Sequence, residues 1–434
     1  MKNVLVVTYY WPPAGGVEVQ RMVKFCKYLP KFGWNPIILT VNDGNYANTD
    51  TSYFDDIKDL KSIYRAKSLE PHSMFNALTK PLQKKNTSKN NNTSKANSSQ
   101  SFVNKLGEYV RLNLFIPDSR IGWFPNAVKM GSKIIEEYQP ELILSSSPPY
   151  TVHLIARYLK NKHKLPWVVD FRDPWLENTA YNTVPRLGVV KRINHHLECK
   201  TLAQADKITT VGKNMASLLN SKIGCPEKIE IITNGYDHTI PPINNKQSDT
   251  FYISHFGPIY WRRFPAAAVQ AIKQLLHTSE NFAANFKFRN LGAIDPQSLH
   301  CLQTELPKEN LELKPYVDRS VLNNILAEPQ LMLLSIEDIP HNKLIITGKI
   351  FDYITTGNPI LGIGPVDGDA ADIINKTNTG KMFDYANNEG IMNTILDAYY
   401  NWKEGKLQTS PQDYPDYKRE NLAAKLANLM NKLP

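Results

Sequence analysis

Two arginines and a lysine carry the side chains best suited to chemistry in this chain. Arg262 and Arg263 lie in "HFGPIYWRRFP" (255–265), after a strand that ends at Gly257 and before the next helix. A guanidinium is a planar fork that engages two oxygens at once, which suits a diphosphate. The same pair also fits an ordinary solvated loop in a chain with 51 Lys and Arg. Lys349 lies in "ITGKIFDYITTGNPILGIGP" (346–365). Thr347 is placed to cap a helix whose first turn carries Gly348 and Lys349, and a phosphate sits well at such a terminus, where N–H groups are free and the dipole is positive. Asp352, one turn on, can accept hydrogen bonds from ribose hydroxyls. The alternative for Lys349 and Asp352 is an exposed i, i+3 ion pair of little consequence.

A further place is "YYWPPAGGVEVQRM" (9–22). Gly15 and Gly16 stand between a strand and a helix that begins at Val17. A glycine pair there lets backbone approach a ligand closely, and it also fits a plain tight turn. Trp11-Pro12-Pro13 stiffens the approach and offers a flat apolar surface for a sugar or lipid, or simply packs. Other signals are weaker. "GIGPVDG" (362–368) is a poor dinucleotide loop, with its third glycine one residue late and Pro365 inside it. Asp369 reads as an N-cap rather than a metal ligand. His195 and His196 are helix neighbours that point apart, and no His/Cys cluster has metal spacing.

The elements that must position these residues follow from periodicity. Val4–Val7 is an apolar run that fits a strand buried on both faces, and Val19, Met22, Val23, Cys26 and Leu29 then recur at helical steps. Further strands are expected at 36–40, 142–144, 167–170, 208–211 and 229–232, with helices between most of them. This βαβ alternation predicts a parallel sheet. It stalls at "NGYDHTIPPINNKQSDT" (234–250) and restarts with strands at 251–256, 286–291, 311–314, 330–335 and 359–363. Two helical patterns close the chain near 388–403 and 417–432. The expected architecture is α/β, with two Rossmann-like lobes: 1–237, a linker at 238–250, a second lobe at 251–400, and a closing helical segment at 401–434. "KKNTSKNNNTSKANSSQS" (84–101) is expected to be a mobile insertion, because it has almost no apolar surface to offset ordering entropy.

Composition narrows the classes. The chain has 434 residues, 42% of them apolar, and a formal charge of +10. That charge favours anionic partners such as nucleotides or an anionic membrane surface. Basic residues are not interleaved with regular aromatics, so nucleic acid is not expected. Four separated cysteines read as reduced thiols, and there is no signal-peptide pattern or membrane-spanning run. A cytoplasmic protein is expected, one that can rest on the inner face of the cell membrane.

Taken in order, the stretches 9–40, "SSSPPYTVHLIARYLK" (145–160), "PWVVDFRDPW" (166–175), "NGYD" (234–237), 255–265 and 346–365 resemble GT-B glycosyltransferases, in particular the retaining family 4 enzymes of bacterial surface-polysaccharide biosynthesis. The resemblance covers nearly the whole chain except 84–101. It implies lobes facing across a cleft, a nucleotide-diphosphate-sugar donor on the C-terminal lobe, an acceptor against the N-terminal lobe, and a closing helix that returns to the first lobe. Gly16 would then lie near the donor phosphates, Arg263 would match the phosphate-binding arginine, and Asp352 would match the ribose-binding acid. Two positions depart from the family. Leu344 stands where a glutamate eight residues before Asp352 is usual, and the lysine a few residues after the arginine is missing; Lys349 is expected to supply that charge.

The resulting expectation is metal-independent transfer with retention to a glycan or lipid-linked acceptor. Arg263, Lys349 and N–H groups near Gly16 would stabilise the departing diphosphate, with no cofactor beyond the donor. Asp173 can orient or deprotonate the acceptor hydroxyl, or else pair with Arg172 or cap a turn. "EYVRLNLFIPDSRIGWFPNAVKMGSKII" (108–135) can rest on an anionic leaflet or form a core helix and loop. The alternatives are a nucleotide-sugar-binding protein without turnover and a nucleotide-sugar epimerase.

Overall fold

The computed structural model describes residues 1–42, 44, 46, 48–69, 107–178, 184–237, 249–315, 319–326, 328, 330–407 and 413–434. The expected mobile insertion at 84–101 and most of the expected linker lie outside the described residues. The chain divides into two compact units, Met1–Thr233 with Arg419–Pro434, and Asn234–Lys418.

In the first unit β1 (Lys2–Val7), β2 (Trp34–Val41), β3 (Ile63–Ala66), β4 (Leu142–Ser147), β5 (Trp167–Phe171), β6 (Lys207–Thr210) and β7 (Ile229–Ile231) form one sheet. Its order is β3-β2-β1-β4-β5-β6-β7, and every pairing is parallel. Val4–Val7 is fully buried, as a strand covered on both faces requires. The helices α1 (Val17–Tyr28), α2 (Phe124–Tyr138), α3 (Thr151–His163) and α4 (Gly188–Gln204) follow strands in the expected alternation. α1 buries Val19, Met22, Val23 and Cys26 in one core, each contributing up to about 2 kcal/mol by apolar burial.

In the second unit β8 (Phe251–Phe256), β9 (Phe286–Leu291), β10 (Leu311–Lys314), β11 (Leu331–Ser335), β12 (Ile360–Ile363) and β13 (Gly380–Phe383) are ordered β10-β9-β8-β11-β12-β13, again all parallel. One core, built around Phe251, Phe282, Phe286, Tyr399 and Trp402, takes in α5 (Ala266–Thr278) and part of a later helix. A second core takes Ile350, Tyr353 and Ile354 from α6 (Lys349–Thr356). The later helix is α7 (Asn388–Lys403).

The chain closes with α8 (Arg419–Asn431), which belongs to the first unit. Its Leu422, Leu426, Leu429 and Met430 join the core under α1. Arg419 Nη2 donates to Gln20 Oε1 at 2.9 Å, and Lys425 Nζ to the Ile231 carbonyl at 2.8 Å. Residues 401–407 and 413–418 stay with the second unit, whose Tyr236 and Lys418 form a parallel bridge.

Both sheets reverse their strand order once, between β1 and β4 and between β8 and β11. Loops leaving the carboxyl ends of strands diverge at such a switch point and leave a crevice where α/β proteins bind ligands.

Candidate functional site

At the β8/β11 switch point the second unit brings together Gly257, Arg263, Gly348 and Lys349. β8 ends in buried Ser254, His255 and Phe256, followed by Gly257 at φ +103. The Gly257 N–H donates to the Leu291 carbonyl at 2.7 Å, which holds the turn down on β9. A Cβ at Gly257 would stand 2.9 Å from Lys349 Cε, so the bare Cα is what admits the lysine stem. Lys349 is the first residue of α6, and its Nζ lies 2.7 Å from His255 Nε2. Burial, with the Arg263 guanidinium adding to it, brings the Lys349 ammonium down to about 7. His255 is pulled down to about 3, first by burial and then by Lys349 and Arg263.

Arg263 sits in the single 3-10 turn Trp261–Arg263, and its Nε donates to Glu337 Oε1. Its side chain is 35% exposed, enough to meet a ligand. Arg262 is exposed and is not drawn into this cluster. The same turn presents Tyr260 and Trp261 about half exposed, with Trp261 stacked on Phe264.

Two expectations for this region are corrected. Thr347 does not cap the helix: Gly348 is the N-cap, and Thr347 Oγ1 is buried with no partner among the described residues. The helix therefore begins one residue later than read, and its cap carries no side chain to compete with a ligand for the terminal N–H groups. Lys349 is also not half of an exposed pair with Asp352, because it turns inward to His255. Leu344, at the family's glutamate position, ends the short turn Asn342–Leu344. Asp369 lies in the first turn of its helix, with Gly368 as the cap.

The first unit holds Gly15, Gly16 and Asp173. Gly16 caps α1 at φ +100, and a Cβ there would meet Glu18 Oε2 at 2.7 Å. The Gly15 N–H donates to Asn48 O and the Asp50 N–H to Pro13 O, both at 2.9 Å. Of the two readings of Trp11, the packed one holds: Trp11 is fully buried. Beneath α1, Arg21 and Asp170 form an ion pair at 2.8 Å with both side chains at most 3% exposed. Ser146 Oγ and Thr209 Oγ1 each donate to Asp170 at 2.7 Å, and Arg21 also donates to the carbonyls of Ile232 and Thr233. This network ties α1 to the carboxyl ends of β4, β5 and β6.

The Asp170 strand leads directly to Arg172 and Asp173. Arg172 donates to the Ser147 and Glu18 carbonyls, not to its neighbour. Among the described residues the Asp173 carboxylate has no hydrogen-bond partner. Burial raises its pKa, with Glu18 and Asp170 adding to the effect and Arg172 opposing it. Sequence reasoning missed the nearby Asp118, which accepts from the Thr151 N–H and hydroxyl and so fixes the start of α3. It also missed Arg120, stacked over Tyr9 at 4.9 Å. Both lie in the stretch 108–135, expected to be either a membrane face or a core helix and loop, where Trp123 is fully buried. No group of three or more His, Cys, Asp or Glu suited to a metal occurs among the described residues, and no described helix is long and apolar enough to cross a membrane.

The doubly wound pair of parallel sheets, each with a loop cluster at its switch point, is the GT-B fold. The Anabaena protein HepE, in a structure with UDP, superposes with a TM-score of 0.64 over 100% of both chains at 12% identity. WaaG, a glycosyltransferase involved in lipopolysaccharide biosynthesis, gives 0.57 over 99% of this chain and 100% of that one, at 13% identity. A putative UDP-N-acetylglucosamine 2-epimerase from Listeria monocytogenes gives 0.50 over 98% of this chain and 94% of that one, at 13% identity. In sequence, residues 93–240 match Glycosyltransferase Family 4. No curated protein matches the sequence.

Proposed function

We propose that the chain is a glycosyltransferase that moves a sugar from a nucleotide-diphosphate-sugar donor to a glycan or lipid-linked acceptor, with retention and without a metal. The observation that carries this reading is the convergence of Arg263, Lys349 and the N-terminus of α6 at the β8/β11 switch point. It is a preorganised cationic site that fits a diphosphate. The Family 4 match and the likeness to a UDP-bound protein point the same way.

Arg263 exchanges Glu337 for phosphate oxygens, and Lys349 meets the charge that develops as the nucleotide leaves. Asp352 accepts from the ribose. These two cations take the part a metal would otherwise play. Gly16, the cap of α1, leaves the helix terminus bare of side chain for a substrate, while the Gly15 N–H is spent on the Asn48 carbonyl. Asp173, whose carboxylate has no hydrogen-bond partner among the described residues, orients the acceptor hydroxyl and takes its proton. Retention is carried over from the family resemblance.

An anionic leaflet is the proposed site of the acceptor. Leu114, Leu187, Val189 and Ile193 are 68%, 48%, 59% and 41% exposed. Arg111, Lys191 and Arg192 are exposed beside them, and the Leu187 N–H donates to Asn113 Oδ1 at 2.7 Å to join the two segments. Exposed apolar side chains with cations next to them in sequence suit a negatively charged membrane surface.

Transfer assays with nucleotide-sugar donors test the reading: Arg263→Ala and Lys349→Ala each lower turnover roughly a hundredfold with the fold intact. Wild-type turnover in both variants overturns it. The epimerase reading is favoured by the Listeria neighbour and by Leu344. Under that reading UDP-N-acetylglucosamine is converted to its epimer with no acceptor present, which carbon NMR detects.

A further inference from the structure

Behind Lys349 runs a chain of hydrogen bonds whose directions can all be assigned. Asn290 Nδ2 donates to the Gly292 carbonyl at 2.9 Å, so its Oδ1 faces His255 Nδ1, 2.7 Å away, and must accept. His255 Nδ1 therefore carries the ring proton. The ring is buried and neutral, so Nε2 keeps its lone pair and accepts from Lys349 Nζ. The order is Lys349 to His255 to Asn290 to the backbone of Gly292. No carboxylate pairs with Lys349 among the described residues. The titratable and charged groups around it are His255 from β8, Arg263 from the turn after β8 with its Glu337 from beyond β11, and Asp352 on its own helix.

We propose that His255 and Asn290 are positioning residues whose relay aims the Lys349 amine into the anion site, and that a diphosphate entering that site draws a proton onto Lys349. This rests on the donor-site reading above. One amine hydrogen is committed to His255, which leaves the others free to point away from the ring. The imidazole cannot compete for the ligand, because its only N–H is spent on Asn290. A buried amine beside a guanidinium sheds its proton readily, and a dianion arriving between them reverses that balance. Asn290 acts through the tautomer. Without it the ring proton can move to Nε2, which then presents a donor to a donor.

Calorimetry with UDP, in buffers of different ionisation enthalpy between pH 6 and 8.5, tests the relay. The wild type takes up a fraction of a proton per UDP near pH 7, beyond what the terminal phosphate of UDP exchanges in Lys349→Met. His255→Leu and Asn290→Leu weaken UDP binding about tenfold and shift the pH at which proton uptake occurs. His255→Gln, whose amide oxygen can accept from the amine, recovers affinity to within about threefold of wild type. A second arm needs no ligand: with [ε-13C]lysine labelling, the resonance absent from Lys349→Met titrates near neutrality in the wild type and at lower pH in His255→Leu. Unchanged UDP affinity, pH profile and Lys349 titration in both leucine variants overturn the relay. If UDP fails to bind the wild type, the donor-site reading fails, and the ligand-free titration alone decides the relay.

Discussion

Replacing Gly257 by alanine separates backbone strain from the placement of Lys349. Two costs are expected. The residue sits at φ +103, where an L side chain is strained by roughly 1–3 kcal/mol. The new Cβ would also stand 2.9 Å from Lys349 Cε and 3.4 Å from Nζ. The first contact is closer than a Cβ makes in practice, but it falls on the far end of a flexible side chain. The lysine therefore yields before the backbone does and swings off His255. Urea denaturation should show the second unit destabilised by about 1–3 kcal/mol. UDP affinity should fall about tenfold, the worth of one charge-assisted hydrogen bond. In a Lys349→Ala background the affinity loss from Gly257→Ala should shrink to within about twofold, because coupled residues are not additive. An equal loss in both backgrounds, or none in either, would refute the argument that this glycine serves the lysine.

Three further outcomes follow from the geometry. Asp170→Asn leaves Arg21 buried without its counter-charge and should destabilise the first unit by about 3–5 kcal/mol in urea. The Asp170 carboxyl is also held below its ordinary value, with burial opposing and Arg21, Ser146 and Thr209 prevailing, so its contribution is present above about pH 4 and lost as the carboxyl protonates. His153 and His255 are both drawn down to about 3 by burial, so the unfolded chain takes up protons near pH 6.5 while the folded units do not. The histidine contribution is therefore complete above that pH and falls by about 1.4 kcal/mol per pH unit below it, read as the difference in urea midpoints between the wild type and His153→Gln or His255→Gln from pH 7 to 5. Vesicles containing anionic lipid should retain the wild type on sedimentation and release Val189→Glu/Ile193→Glu; equal retention would remove that surface from the account.

How much of this was legible in the sequence depended on burial. β8, β9 and β10 carry the residue bounds read from the sequence, because apolar residues recur at alternate positions along each, as in Phe286, Phe288 and Leu311, Leu313. β3 and β13 were not anticipated. Each is a four-residue edge strand, half-buried in Ile63–Ala66 and exposed over Gly380 and Lys381, so neither has a continuous apolar run to read. Arg263 and Lys349 were visible because basic residues next to a glycine and a helix start have a mechanism. Which of the two adjacent arginines turns inward is set by the short 3-10 turn, which periodicity does not register. His255 and Asn290 were hidden for the opposite reason. Each sits inside a strand, where a polar residue looks like an imperfection, and their partners lie 94 and 35 positions away in sequence. The sequence left Trp11 open between contact and packing, because a bonded partner segment at 48–50, more than thirty residues on, cannot be read from the local pattern.

The most direct measurement is the affinity of the protein for UDP, GDP and ADP by calorimetry, in the wild type and in the Arg263→Ala/Lys349→Ala double variant. The account predicts that one of these diphosphates binds the wild type and binds the double variant roughly a hundredfold or more weakly, with the double variant's thermal unfolding otherwise cooperative. Equal affinity in the two proteins would contradict it, since the diphosphate would then be held somewhere other than the β8/β11 switch point.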